Sequence, residues 1–527
     1  MQIAIIGTGY VGLVTGTCLA DFGLQVICVD KDKEKIKQLK SGKVPIYEQG
    51  LENLINKNVA AKRLSFTTNL GDAVRQSQVI FIAVGTPSNN DGSADLRQVE
   101  GVAKEIARNL NGYKIIVNKC TVPVGTARKI KQIIEENQIL NNTSKVNPGD
   151  LSAYNSCKDS FVLSGSDDEP SSYKYCKNSS SNNNCQQPPI SSHSENYSIP
   201  CQFEDHSPSS IYQDPFSLRH CEEQSDEAIS STSTHIPFDI VSNPEFLREG
   251  NAVYDFTHPD KIVIGYESEK AKNVMQEIYR PLYLLNTPFV FTTLETAEMI
   301  KYACNAFLAT KITFINEIAN LCDKVGADVH EIARAMGMDG RISPKFLHPG
   351  PGFGGSCFPK DTRALMATAH SNNYDFKLLN AVIEANLRQR KIVVDKIEEG
   401  LGILKDKTIA ILGLAFKQNT DDIRESPAHD VIKILLEKDV NIKCFDPMAM
   451  ENTKKIFPNL TYCQNEYEAV KDADALVILT EWNQFRNLDL IKIKKLLKSP
   501  ILFDMRNLYE PFKVKEIGIK YFGIGRR

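Results

Sequence analysis

One cysteine, Cys357, lies in the run Gly352-Phe353-Gly354-Gly355-Ser356-Cys357-Phe358-Pro359-Lys360-Asp361, with a lysine and an aspartate close behind it. An unperturbed thiol has a pKa of about 8.5, so a nucleophilic thiolate needs nearby positive charge or backbone amides, and glycines expose such amides. The alternative is a small buried cysteine, the usual fate of a free thiol. The chain opens with Ile3-Ala4-Ile5-Ile6-Gly7-Thr8-Gly9-Tyr10-Val11-Gly12, a Gly-x-Gly-x-x-Gly turn between a strand and a helix. Such glycines let a backbone approach a pyrophosphate at a helix N-terminus. Asp30 closes the next strand, about 20 residues on, where an acid holds ribose hydroxyls and repels a 2′-phosphate. NAD is therefore expected over NADP; a glycine turn in an unrelated α/β fold is the alternative. A thiol and a hydride acceptor in one chain suggest one chemistry. The thiol adds to an aldehyde, and the hemithioacetal loses hydride to become a thioester on the way to a carboxylate.

Other residues fit around that reaction. Lys301 and Asn305 are one helical turn apart and could face a developing oxyanion, or form a solvated stripe. Glu245 and Glu249, in Asn243-Pro244-Glu245-Phe246-Leu247-Arg248-Glu249-Gly250, are also one turn apart. They read as a general base and a sugar ligand, or as carboxylates balancing a helix start. Asp361 could orient a water or simply cap a helix that begins near Thr362. Lys35 lies one turn into the helix after Asp30, toward the adenosine or toward solvent. Thr86 and Thr121 each end a strand on the nicotinamide side, or mark plain strand-end turns.

These residues need elements to hold them. At 527 residues, two or three domains are expected. Gln2–Ile6, Gln25–Val29, Val79–Val84 and Lys114–Asn118 read as strands with helices between them, a parallel sheet of βαβ units. From 141 to 235 the chain turns serine-rich, with Asn, Pro, Gln and Asp, a composition that cannot offset its ordering entropy; a disordered insertion is expected there. Thr293 to about Val325 reads as one long helix. Thr408–Leu412, Val440–Phe445, Ala475–Leu479 and Ile501–Asp504 read as strands of a second α/β unit lacking a phosphate-cradling Gly-x-Gly-x-x-Gly. The predicted architecture is α/β: two Rossmann-like domains joined by a long central helix. Its parts are 1–292, an NAD-binding domain containing the insertion; 293–398, a central helical domain; and 399–527, a second Rossmann-like domain.

Composition removes several classes of function. A net charge of −3 leaves no basic patch for nucleic acid. No apolar run reaches the roughly 18 residues needed to span a bilayer, and the first residues read as a buried strand, not a secretory signal. The 13 cysteines show no CxxC pair, so neither a metal site nor a disulfide framework is expected, and scattered thiols fit a reducing cytoplasm.

Taken together and in order, several motifs resemble the UDP-glucose 6-dehydrogenase family of nucleotide-sugar dehydrogenases. They are Gly7–Gly12, Pro45-Ile46-Tyr47-Glu48, Val84–Pro87, Asn243–Gly250, Glu298-x-x-Lys301-x-x-x-Asn305, Gly352–Asp361, Gly413-Leu414-Ala415-Phe416-Lys417 and Arg424-Glu425-Ser426. The resemblance covers the chain outside the insertion. It implies a four-electron oxidation in which UDP-glucose, two NAD and water give UDP-glucuronate and two NADH through a Cys357 thioester. It implies that Lys301 and Asn305 steady an oxyanion, that Asp361 and Thr121 hold a water, and that Glu245 moves a proton. NAD would be held by Gly7, Gly9, Tyr10, Val11, Gly12, Asp30, Lys35, Thr86, Thr121, Lys360 and Arg424. The sugar nucleotide would meet Glu245, Phe246, Leu247, Arg248, Glu249, Lys301 and Asn305. It would also meet Phe346, Leu347, His348, Pro349, Gly350 and Gly354, with Lys417 and Arg506 of the last domain, which would bind the UDP part. Arg341 would reach into a partner subunit's site, since the long helix resembles the family's dimer core and a homodimer or higher homo-oligomer is implied. The competing expectations are a GDP-mannose or UDP-N-acetylmannosamine dehydrogenase, or a nucleotide-sugar-binding protein whose catalysis the insertion has impaired.

Overall fold

Runs of apolar residues that must be buried on both faces build two parallel sheets. The structure, a computed structural model, describes residues 1–143 and 235–526. The first sheet contains β1 (Gln2–Ile6), β2 (Gln25–Val29), β3 (Leu64–Thr67), β4 (Val79–Ile82), β5 (Lys114–Asn118), β6 (Phe238–Ser242), β7 (Ile262–Tyr266) and β8 (Phe289–Thr292). Their order is β3-β2-β1-β4-β5-β6-β7-β8. The β6–β7 pair is antiparallel and the other pairs are parallel. Ile3–Ile6 and Val79–Ile82 are buried throughout, as strands covered by helices on both faces must be.

The second sheet contains β9 (Thr408–Leu412), β10 (Asn441–Phe445), β11 (Thr461–Tyr462), β12 (Ala475–Ile478), β13 (Ile501–Asp504) and β14 (Lys520–Gly523). Its order, β11-β10-β9-β12-β13-β14, repeats that of the first six strands of the first sheet. Both are the doubly-wound order, whose crevice opens at the carboxyl ends of the strands beside the first one.

Between the sheets runs a helix of 32 residues, Leu294–Val325. Thr293 caps its start by accepting the Thr296 N–H, and Gly326, in a left-handed conformation, ends it. It packs on β7 and on two later helices, Phe358–Ser371 and Lys377–Leu401.

The expected insertion at 141–235 lies almost wholly outside the described residues. Its leading edge is a correction: the helix after β5 continues through it, from Thr126 to Thr143. The two flanks of the segment meet. Gln138 Nε2 donates to the Ile236 carbonyl at 3.1 Å, and the Ile236 N–H donates back to Gln138 Oε1 at 2.7 Å. The strand that follows, β6, lies beside β5 in unbroken register from Lys114↔Phe238 to Asn118↔Ser242.

Candidate active site

The residues singled out by their chemistry collect at the carboxyl ends of the strands. Gly7 follows β1, Thr86 follows β4, Thr121 follows β5 and Glu245 follows β6; Lys417 follows β9 and Arg506 follows β13.

Gly7 has φ +103°, and a Cβ there would lie 2.5 Å from the Ala83 carbonyl oxygen. The helix Tyr10–Asp21 starts at Gly9 with no side-chain cap and no acid in its first turn, so its N-terminus is open to an anion. Asp30 accepts from the Thr8 N–H (3.0 Å) and hydroxyl (2.7 Å), and Lys35 Nζ stands 3.4 Å away. Burial raises the Asp30 pKa, but these bonds and the Asp32 N–H outweigh it and hold the carboxyl below its ordinary value. An open helix start, a cradle without side chains and an ionised acid at the strand end all fit a dinucleotide. Lys35 thus sits beside Asp30 and not in bulk solvent. Tyr10 turns its hydroxyl to Glu48, and the Gly250 N–H donates to both, at 2.7 Å and 2.8 Å. Thr86 Oγ1 donates to the Thr121 carbonyl at 3.0 Å, so these two strand ends touch.

Lys301 is not part of a solvated stripe. Its Nζ lies 2.9 Å from Glu245 Oε1, and both side chains are almost fully buried. Burial lowers the Lys301 pKa, but Glu245, Cys357 and Asp361 together hold it above its ordinary value. Burial raises the Glu245 pKa, but Lys301, the Leu247 N–H and Lys119 hold it below. The segment Asn243–Gly250 is irregular, which corrects the helix-start reading of Glu245 and Glu249. Glu245 instead accepts the Leu247 N–H at 2.6 Å, which folds the loop into a local turn.

Cys357 is the N-cap residue of the helix Phe358–Ser371, so the helix starts four residues before Thr362, and Asp361 is not its cap. Asp361 is buried: Asn305 Nδ2 donates to its Oδ2 at 2.6 Å, and Lys360 Nζ lies 2.6 Å from its Oδ1. The Cys357 thiol is pushed up to about 11, by burial first and then by Glu245, against the opposing pull of Lys301. The help that an activated thiolate needs is outweighed here by burial, so this sulfur rests protonated and must give up its proton as it adds.

The loop before the cysteine is held from outside. Asn316 Oδ1 accepts the Gly350 N–H (2.8 Å), Gln389 Nε2 donates to the Gly350 carbonyl (3.1 Å), and Asn386 pairs with both backbone groups of Phe353 (2.8 and 3.1 Å). Arg390 Nη2 adds a bond to the Phe353 carbonyl at 2.7 Å. On the other side, the Gly355 N–H donates to the Arg424 carbonyl at 2.9 Å, and a Cβ on Gly355 would strike the Phe416 ring at 2.7 Å. Arg506 Nε contacts Glu481 at 3.2 Å, and its guanidinium lies against Gly350. Lys417 Nζ sits over the Phe416 ring, and burial lowers its pKa against the pull of Glu249.

Glu249 joins the two sheets' loops. It accepts from Ser356 Oγ (2.8 Å) and Arg424 Nη2 (3.2 Å), and Arg424 is also paired with Asp422. Its other oxygen is buried without a hydrogen-bond partner, and the Asp422 carboxyl acts on it. Burial, then Asp422, raises Glu249 to about 7.

Several expected residues lie apart from this cluster or on its edge. Arg248 pairs with Asp255, and Arg341 forks onto Asp339 at the surface. Phe346 stacks edge-on to Phe358, Leu347 is buried in the core of the last sheet, and His348 is exposed. Phe246 lies under Lys301 Nζ at 5.3 Å. Lys119 and Tyr279, which hold Asn243, had no motif to announce them, and the Asn243–Gly250 motif gave no sign of what Asn243 binds.

The second sheet answers whether it offers another dinucleotide cradle. Asp446, after β10, stands where Asp30 stands after β2, but it is fully buried. Its Oδ2 accepts from the N–H groups of Leu414 (2.7 Å) and Ala415 (3.1 Å) and from Trp482 Nε1 (3.0 Å). Asp446 thus takes two amides of its turn, where Asp30 takes one, that of Thr8, in the first sheet.

The sequence matches one family along nearly its whole length. Residues 1–161 and 217–283 match the NAD binding domain of the UDP-glucose/GDP-mannose dehydrogenase family, 295–388 its central domain and 410–511 its UDP binding domain. The chain belongs to the UDP-glucose/GDP-mannose dehydrogenase family. Among its relatives, the UDP-glucose 6-dehydrogenase of Rhizobium meliloti is 42% identical over 530 aligned positions, with 100% of each chain covered. The UDP-glucose 6-dehydrogenase TuaD of Bacillus subtilis is 41% identical, covering 100% of this chain and 93% of its own. A solved UDP-glucose dehydrogenase of Pyrobaculum islandicum has a TM-score of 0.76 at 29% identity, covering 100% of this chain and 98% of its own. The family's NAD binding domain leaves 162–216 unmatched, inside the stretch read as an insertion.

Proposed function

We propose that this chain is an NAD-dependent UDP-glucose 6-dehydrogenase that carries the C6 alcohol to the carboxylate in two oxidations on one site. The observation that carries the reading is Cys357 beside the buried Glu245–Lys301 pair and the Asn305–Asp361 pair, in the same unit as an open dinucleotide cradle. Relatives named for this activity, at 36–42% identity, support it. NAD, when bound, supplies the hydride acceptor at each oxidation.

The chain's own groups do the rest. Cys357 adds to the C6 aldehyde: the Sγ–C6 bond forms, the thiol proton leaves, and the carbonyl oxygen takes one up. The net addition moves no charge, which suits a thiol that rests protonated. Lys301 Nζ and the second N–H of Asn305 donate to the C6 oxygen as charge develops on it. After the second oxidation, water adds to the thioester carbonyl and gives its proton to Glu245; the Sγ–C6 bond breaks and Sγ regains a proton. Thr121 and Asp361 orient that water. Gly7, Gly9, Tyr10, Val11, Gly12, Asp30, Lys35, Thr86, Lys360 and Arg424 hold the dinucleotide. Glu245–Glu249, Phe346–Gly350, Gly354, Lys417 and Arg506 receive the sugar nucleotide.

The same reading divides the chain at 1–292, 293–398 and 399–527 and makes it a cytoplasmic homo-oligomer. Phe307, Phe314 and Leu321 support a pairing surface: they recur every seven residues on the long helix and are 65%, 48% and 56% exposed. Arg341, exposed beside Ile342, whose carbonyl accepts from Lys311 midway along that helix, would serve a partner's site.

The test counts NADH at its absorbance band with UDP-glucose for wild type and Cys357→Ser. Two NADH per sugar in wild type, with turnover lost or stalled at the first oxidation in the variant, is the expected result. One NADH per sugar would make Cys357 structural, and none with UDP-glucose but two with another nucleotide sugar would move the substrate.

A further inference from the structure

Lys119 follows β5 and is 4% exposed. Its ammonium donates to Asn243 Oδ1 (3.1 Å), the Asn243 carbonyl (3.4 Å) and the Tyr279 hydroxyl (3.3 Å), three neutral oxygens. Asn243 cannot turn away: its Nδ2 donates to the Val263 carbonyl (2.8 Å), and Tyr279 donates to its Oδ1 (2.6 Å). Among the described residues no carboxylate lies within ion-pair distance of Lys119. A buried ammonium with only neutral partners is costly, and neutral apolar residues would join two strand ends more cheaply.

The charges within its reach explain its presence. Glu245, from the loop after β6, and Lys301, from the long helix, are the charged groups that act on it. Tyr279, closing the helix Glu269–Ile278, faces it as a neutral phenol. Glu245 in turn feels Lys301 and then Lys119, while Cys357 and Asp361, on the helix Phe358–Ser371, face Lys301. Burial lowers the Lys119 pKa to about 8, so it keeps its charge at neutral pH. Glu245 therefore has two counter-ions, one in the site and one behind it.

We infer that Lys119 is a positioning residue for thioester hydrolysis: held by Asn243 and Tyr279, it is the rear counter-charge that keeps Glu245 ionised when Lys301 turns to the substrate oxygen. This rests on the proposed reaction. Lys301 cannot give its full charge to the C6 oxyanion and to Glu245 at once, and Lys119, which touches neither substrate nor Cys357, makes up the difference. The same side chain ties the strand ends that carry Thr121 and Glu245.

Lys119→Met removes both charge and hydrogen bonds; Lys119→Gln keeps a donor and removes the charge. The readouts are the pH profile of kcat, the KM for UDP-glucose, and the fraction of enzyme carrying the sugar adduct on Cys357 by intact mass. In both variants the acid limb of kcat is expected to rise by about one pH unit, with the adduct accumulating on the acid side of that limb and KM within about twofold. A wild-type acid limb in Lys119→Gln would overturn the inference and leave Lys119 a strand tie; so would unmoved limbs in both variants. Wild type giving two NADH per UDP-glucose separates that result from failure of the site reading, which would take the inference with it.

Discussion

Lys301 and Glu245 are almost fully buried, yet each keeps its charge because the other is 2.9 Å away. Removing one partner leaves the other charged with no water to solvate it. Lys301→Met is expected to cost about 3–5 kcal/mol of stability and to lower kcat by about 10²–10³-fold through the lost oxyanion donor. Chemical denaturation and NADH kinetics measure the two separately, and Glu245→Gln with Lys301→Met should recover much of the stability and none of the rate. Of the residues in this cluster, Cys357, Lys301, Asn305 and Asp361 were legible because each lies in a local motif of spaced glycines or helical turns. Lys119 and Tyr279 were not, and Asn243, though it opens the Asn243–Gly250 motif, was not read as their partner. They come from three separate elements, and nothing in the spacing of a lysine and an asparagine 124 residues apart announces that they touch.

At the scale of elements, the strands were the easiest to read. β1, β2, β5, β9 and β13 have the limits expected from their apolar runs, since strands covered on both faces carry no competing polar period. Loops were harder, because their conformation is set by distant side chains. Asn243–Gly250 looked helical from its paired glutamates, but its conformation follows from the Glu245 turn and from Glu48 and Tyr10 on Gly250. The same loop carries Glu249 to the loop of the last sheet. A carboxyl whose native pKa exceeds its free value of 4.5 stabilises the fold in full below that value and loses this stability as pH rises through about 7. Wild type should therefore lose melting temperature from pH 6 to pH 8 relative to Glu249→Gln, in which the Asp422 contact no longer titrates. Parallel melting curves for the two proteins across that range would contradict the raised Glu249 pKa.

At the scale of the whole molecule, the long helix serves two faces. One buries Glu298, Lys301, Tyr302 and Asn305 toward the site; the other carries Phe307, Phe314 and Leu321 outward. Phe307→Glu with Phe314→Glu should halve the mass seen by sedimentation if these rings pair two chains, and turnover should fall with it because Arg341 would lose its partner's site. An unchanged mass would place the pairing surface elsewhere. No helix among the described residues is long and apolar enough to cross a membrane.

The two sheets share one strand order, but the first matches the family's NAD binding domain and the second its UDP binding domain. Each chain then holds one dinucleotide at a time, while the proposed product requires two. On the proposed route the half-oxidised sugar must outlast a change of cofactor, and a bond to Cys357 would hold it through that interval. The covalent step is thus as much a matter of timing as of chemistry: it sets how long the site can wait between its two oxidations without losing a reactive aldehyde to the solution.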